Sequence, residues 1–193
     1  KILWKLRIFK IFKKNNIKVI KKTNFKNLFL IKNQTFKDPR GYFKEIIREI
    51  NLKQKFPFLV MSYSKKHVIR GLHIQTKNPQ GKFITVVKGK IFDVAIDLRK
   101  NSETFGKIFT FELSEKNSYS IFIPPGFAHG FQCLDRENYI VYSCTKYREK
   151  NYEVTIDIND KDFKIKWPSK RQIVSKKDRN GISFLDYKKI HLK

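Results

Sequence analysis

Cysteine is scarce. The 193 residues contain two, Cys133 and Cys144. Two cannot build a disulfide framework, and no Cys-x-x-Cys pair is present to seat a structural zinc ion. Such sparing use suits a reducing compartment and points to the cytoplasm. No apolar run approaches the roughly 20 residues that a membrane-spanning helix needs. The opening segment lacks the clean apolar centre and small-residue cleavage site of a secretory leader. No Gly-x-Gly-x-x-Gly motif is present to open a dinucleotide site. Acid is also in short supply. There are 17 Asp and Glu against 43 Lys and Arg, a net charge of +26, and the first acidic residue is Asp38. Such a field attracts polyanions. A nucleic-acid reader concentrates its cations on one element, whereas here they are mostly Lys and run the whole length. We therefore expect no nucleic-acid partner. The abundance of Lys, Asn, Ile and Phe fits the residue usage of an AT-rich genome.

What is present is a folded domain. Hydrophobic residues make up 40% and aromatics 15%, with 18 Phe, which excludes overall disorder. Residues 1–16, KILWKLRIFKIFKKNN, read as a basic extension outside the fold. Their apolar side chains lie among Lys and Arg, so a helix here would suit contact with an anionic membrane surface. From Ile17 to Lys193 the pattern is short strands: Phe29–Ile31, Val60–Ser62, Phe83–Val87, Ile91–Leu98, Ile108–Leu113, Ser120–Ile123 and Tyr139–Thr145. Lys88-Gly89-Lys90 reads as a tight hairpin turn. Helical signal is confined to Lys44–Lys55 and the stretch near Ser183–Lys189. Many short strands at regular spacing imply an all-β sandwich or barrel, of which the jelly roll is one form. Alternation along Ile91–Asp97 puts Ile91, Asp93, Ala95 and Asp97 on one face and Phe92, Val94 and Ile96 on the other. An acid-bearing face opposite an apolar one suits a barrel whose interior hosts chemistry.

Of four histidines, two stand among turn-forming residues that fix the backbone. His73 ends Arg70-Gly71-Leu72-His73, and His129 lies within Ile123-Pro124-Pro125-Gly126-Phe127-Ala128-His129-Gly130-Phe131. A metal-binding β-barrel usually offers two His one residue apart on a strand. Position 75 is Gln, so that pair is missing and no metal is expected. A histidine free of metal titrates near working pH and is suited to act as a base. Tyr142 lies on a strand three residues past Tyr139, so the two point to opposite faces. Asp178 follows Ser175-Lys176-Lys177 in a polar stretch.

Asp38-Pro39-Arg40-Gly41, the RGLH at 70–73, Gly81-Lys82, FDVAIDLR at 92–99, Phe105-Gly106, IPPGFAHGF at 123–131, Trp167-Pro168 and the SKKD at 175–178 occur in this order. Together they resemble the dTDP-4-dehydrorhamnose 3,5-epimerase family over roughly residues 17–187. The resemblance implies a cupin-type jelly roll with a few short helices, a homodimer, and no cofactor or metal. It implies that His73 is the general base that removes a proton next to a C4 ketone. Asp178 is implied as its carboxylate partner, and Tyr142 as the acid on the opposite sugar face. It implies substrate contacts from Arg40, Glu45, Arg70, Lys82, His129, Glu153 and Lys177. Cations among these suit a diphosphate, and Lys82 or His129 suits an enolate oxygen. The chain departs from the family at Phe58 and Val60, where a Gln-x-Asn pair is usual, and at Arg148, where a second tyrosine is usual. An arginine there can still stack on a base.

The expected substrate is a nucleotide-diphosphate 4-keto-6-deoxysugar, epimerised at C3, C5 or both on the way to a cell-surface polysaccharide. The alternatives are a mono-epimerase or a 3,4-ketoisomerase of the same fold. A non-catalytic basic barrel for anionic polymers has no need of His73, Tyr142 and Asp178 together.

Overall fold

The structure is a computed structural model that describes residues 20–47, 52 and 54–192; the extension at 1–16 lies outside them. Two sheets pack face to face. The first runs in the order β1 (Ile20–Lys22), β2 (Phe29–Lys32), β10 (Tyr119–Ile123), β7 (Lys82–Lys88), β12 (Glu137–Cys144) and β5 (Phe58–Lys65), all antiparallel. The second runs β13 (Glu153–Thr155), β6 (Val68–Gln75), β11 (Phe127–Cys133), β8 (Lys90–Asp97) and β9 (Ile108–Ser114). A short β14 (Ile173–Val174) lies parallel against β6. A separate hairpin joins β3 (Thr35–Asp38) to β4 (Gly41–Lys44). Two helices close the chain, α1 (Lys176–Arg179) and α2 (Phe184–His191). This is the jelly roll expected, and each sequence-read strand overlaps an observed one.

The side-chain pattern explains the two layers. Leu30, Ile84, Ile121 and Ile140 from one sheet meet Ile91, Ala95, Leu113 and Phe131 from the other in the central core. The reverse face of the second sheet presents Leu72, Val94 and Ile96, and the C-terminal segment covers it with Ile156, Phe163, Phe184 and Tyr187. The alternation read along β8 is therefore real. Its apolar face meets the C-terminal cover, and its other face carries Asp93 into the sandwich, 1% exposed. The C-terminal helix appears as expected, capped by Ser183, whose side chain accepts from the Asp186 N–H.

Two expectations are corrected. Lys88–Lys90 is not a hairpin turn. β7 and β8 belong to opposite sheets, and Gly89, at φ +88°, turns a corner that carries the chain from one layer to the other. Lys44 ends β4, so the helix expected over Lys44–Lys55 does not start there; Leu52 within that stretch is helical, and residues 48–51 and 53 lie outside the described residues. Among the described residues no helix is long and apolar enough to cross a membrane.

Candidate active site

β6 and β11 bring the two motif histidines together. His73 on β6 pairs directly with His129 on β11, so both side chains leave the same face of the sheet. That pairing depends on glycine. The register shifts between His129 and Phe131, and the two backbones nearly touch there. A Cβ on Gly130 would lie 2.6 Å from the Arg70 carbonyl oxygen, and one on Gly71 would lie 2.7 Å from the His129 oxygen.

Asp178 reaches His73 through a gap in the sheet edge. β13 pairs with His73–Gln75 and β14 with Val68–Ile69, which leaves the middle of β6 to α1. The Asp178 carboxylate is 2.6 Å from His73 Nε2 and accepts the Gly71 N–H at 3.4 Å. The Ser175 hydroxyl caps α1 by accepting the Asp178 N–H. Burial alone pushes the Asp178 carboxyl up. The hydrogen bond and charge of His73, with the Gly71 and Ser175 bonds, outweigh it and hold the group below the usual carboxylate range.

His129 is 4% exposed and Asp93 1%, and His129 Nε2 lies 2.8 Å from Asp93 Oδ2. Asp93 Oδ1 is buried with no hydrogen-bond partner. In the sequence, Asp93 stands out only as part of an acid-bearing strand face. Phe131 continues this surface, with its ring 6.1 Å from His129 and 6.4 Å from Tyr142 across the sandwich. Tyr142 on β12 thus faces the histidine sheet from the opposite wall. Tyr139 points outward onto Tyr63, 5.0 Å away, as alternation requires. Burial pushes the Tyr142 phenol well above its usual range, against the opposing pull of a hydrogen bond to Ser62.

Charge gathers around Lys82. Arg148 donates two hydrogen bonds to Glu153, at 2.9 and 2.8 Å, and Lys177 donates to the same carboxylate. Burial would raise the Glu153 pKa, but these bonds and the nearby His73 hold it at about 2. Burial lowers the Lys82 pKa, against the opposing pull of Cys144, Glu153 and Asp93, and the Arg148 charge adds to the lowering. Arg70 crosses to the first sheet, where Nε donates to the Ser64 hydroxyl at 2.8 Å. Among the described residues, no group of His, Cys, Asp and Glu is arranged to hold a metal ion.

His73, Asp178, Tyr142, Arg70, Lys82, His129, Arg148, Glu153 and Lys177 thus form one constellation. Arg40 and Glu45 stand elsewhere. Arg40 is at the tip of the β3–β4 hairpin, its side chain 90% exposed and paired with Asp38 at 2.5 Å. The base of that hairpin docks on the β9–β10 turn, through Lys44 to the Glu115 carbonyl and Thr35 to Ser118. That turn meets β7 at Gly89, the far end from Lys82, about 20 Å along the strand at roughly 3.3 Å per residue. The sequence reading missed Asp93 and Ser62 as partners of site residues. Both pairings join distant segments, and neither residue lies in a turn-rich motif.

The dTDP-4-dehydrorhamnose 3,5-epimerase family model matches residues 22–186. The dTDP-4-dehydrorhamnose 3,5-epimerase of Methanothermobacter thermautotrophicus is 42% identical over 167 residues, 82% of this chain and 90% of the relative. That of Shigella flexneri is 39% identical over 172 residues, 86% of this chain and 95% of the relative. A crystal structure of dTDP-6-deoxy-D-glucose-3,5-epimerase from Legionella pneumophila, in complex with dTDP-4-keto-L-rhamnose, superposes with a TM-score of 0.82 at 35% identity, covering 86% of this chain and 92% of that one. On the match of sequence, fold and length, the chain belongs to the dTDP-4-dehydrorhamnose 3,5-epimerase family.

Proposed function

We propose that the protein epimerises a dTDP-linked 4-keto-6-deoxysugar at C3 and C5. The observation that carries this reading is the pairing of His73 with Asp178 on one sheet and a half-buried Tyr142 facing them from the other. A proton next to a ketone is weakly acidic, so a base and an enolate-stabilising charge must act together. His73 removes the proton, and Asp178 fixes its tautomer and steadies the imidazolium. Lys82 and His129 hold the enolate oxygen. Tyr142, kept neutral by burial, returns a proton from the opposite face and inverts the carbon. Arg148, Lys177 and Arg70 suit the diphosphate, with Glu153 fixing the first two in place. The substrate and the two buried free thiols fit a cytoplasmic enzyme.

Arg40 and Glu45 complete a site only if they belong to a second copy. Their hairpin leans on the far end of its own barrel, and its exposed Tyr42 and Phe43 (59% and 66%) offer an apolar contact. We infer a homodimer in which each hairpin serves the partner's cavity.

The test is incubation with dTDP-4-keto-6-deoxyglucose in D₂O, followed by NMR. Deuterium at C3 and C5 with both centres inverted is the expected result. Inversion at one carbon alone marks a mono-epimerase, migration of the carbonyl a ketoisomerase, and absence of exchange overturns the reading.

A further inference from the structure

The β5 strand carries a serine that the reaction outlined above does not use. Ser62 Oγ lies 2.9 Å from the Tyr142 hydroxyl. The pairing of Val60 with Tyr142, one step along in strand alternation, puts Phe58, Val60, Ser62 and Ser64 on the same inner face as Tyr142. Ser64 on that face already holds a functional side chain, since it accepts from Arg70 Nε. Ser62 differs from Ser64 in access. Ser64 is buried, whereas Ser62 is half-buried on the outermost strand of its sheet.

Either oxygen is able to donate in the Ser62–Tyr142 bond, and the chemistry decides between them. An acid that must hand its proton to a sugar carbon cannot also spend it on Ser62. With Ser62 as donor, the phenolic hydrogen is left free to point into the cavity. Once that proton has gone, a tyrosinate remains in a buried setting that disfavours charge. Each inversion therefore ends with a surplus proton on His73 and a missing one on Tyr142. The enzyme must correct both before the second carbon is inverted.

We propose that Ser62 is the positioning residue for Tyr142, and that it returns the proton between inversions. The step balances. Ser62 O–H gives its proton to the tyrosinate oxygen as a water molecule gives one to Ser62 Oγ, and the hydroxide left is neutralised by the proton His73 releases to solvent. This role rests on the proposed epimerase reading. It also accounts for a hydroxyl on the outermost strand of the sheet, within hydrogen-bond reach of the half-buried phenol.

The experiment separates two events at one carbon. His73 exchanges the proton for deuterium on its own face without help from Tyr142, whereas inversion requires Tyr142. In D₂O with dTDP-4-keto-6-deoxyglucose, Ser62→Ala keeps exchange near the wild-type rate, and its inversion rate falls tenfold or more with KM unchanged. Ser62→Thr, which keeps the hydroxyl, restores inversion. Retained exchange also reports that the Ser62→Ala variant is folded. Exchange and inversion lost in parallel, inversion unchanged in Ser62→Ala, or failure of Ser62→Thr to restore it overturns the role of Ser62. A wild-type protein that neither exchanges nor inverts overturns the epimerase reading, and this role with it.

Discussion

His73 and Asp178 lie 105 positions apart in the chain and share a hydrogen bond. The histidine was legible because Gly and Pro crowd around the two motif histidines, and such residues seldom cluster without a positional reason. The burial of Asp178 was not. Its neighbours Lys176 and Lys177 are exposed, and only the gap along β6 turns this one side chain inward. Replacement of His73 by Asn is expected to lower solvent exchange at C3 and C5 by about 10²–10⁴-fold, the usual contribution of a general base. NMR in D₂O measures it, and near-normal exchange means that another base acts. Glu153 predicts a pH dependence. Its carboxyl falls from 4.5 to about 2 on folding. A group whose folded pKa is depressed stabilises the protein fully above its unfolded pKa, and that contribution is lost as pH falls through the folded value. Urea midpoints should therefore drop between pH 5 and pH 3, both chosen to bracket the unfolded value, and drop less in Glu153→Gln. Equal drops in the two proteins contradict the assignment.

At the scale of elements, the two strands that carry the histidines were the ones the sequence concealed. β6 and β11 contain Arg70-Gly71-Leu72-His73 and Ala128-His129-Gly130, whose glycines and polar groups read as turns. They are strands because two glycines let the backbones approach more closely than any side chain allows, and the bulge there re-aims the histidines. The apolar runs of β7, β8 and β10 needed no such device, and alternation revealed them. Gly71→Ala and Gly130→Ala each push a methyl group into backbone, and Gly71 also holds φ at +117°. We expect each to cost about 1–3 kcal/mol of stability, read as a lower thermal midpoint. Exchange activity should fall further than the midpoint shift explains, because the His73–His129 register is lost with the bulge. Wild-type stability in both variants removes the argument.

For the whole molecule, a net charge of +26 opposes self-association, yet apolar surface is left open on β5 and on the hairpin. On the outer face of β5, Leu59 and Met61 are 68% and 62% exposed, with Tyr63 beside them at 42%; at the hairpin, Phe43 is 66% exposed. A second copy that covers either patch removes an exposed sheet edge or an apolar tip, and salt decides how easily the charges allow it. Screening shortens from about 30 Å at 0.01 M to about 10 Å at 0.1 M ionic strength, so the dimer should tighten as salt rises, which light scattering across that range measures. The dimer also makes a claim about the site. If each hairpin supplies Arg40 to its partner, a mixed dimer of an Arg40→Ala chain and a His73→Asn chain has one complete cavity: His73 from the first chain and Arg40 from the second. Each variant alone is expected to be impaired, and mixing them after partial unfolding and refolding should restore activity above either parent. If Arg40 serves its own cavity, every site in the mixture lacks one group or the other, and no activity returns. A monomeric mass at all salt concentrations, or mixing without recovery, overturns the shared site, and full activity in the Arg40→Ala chain alone places Arg40 outside the reaction.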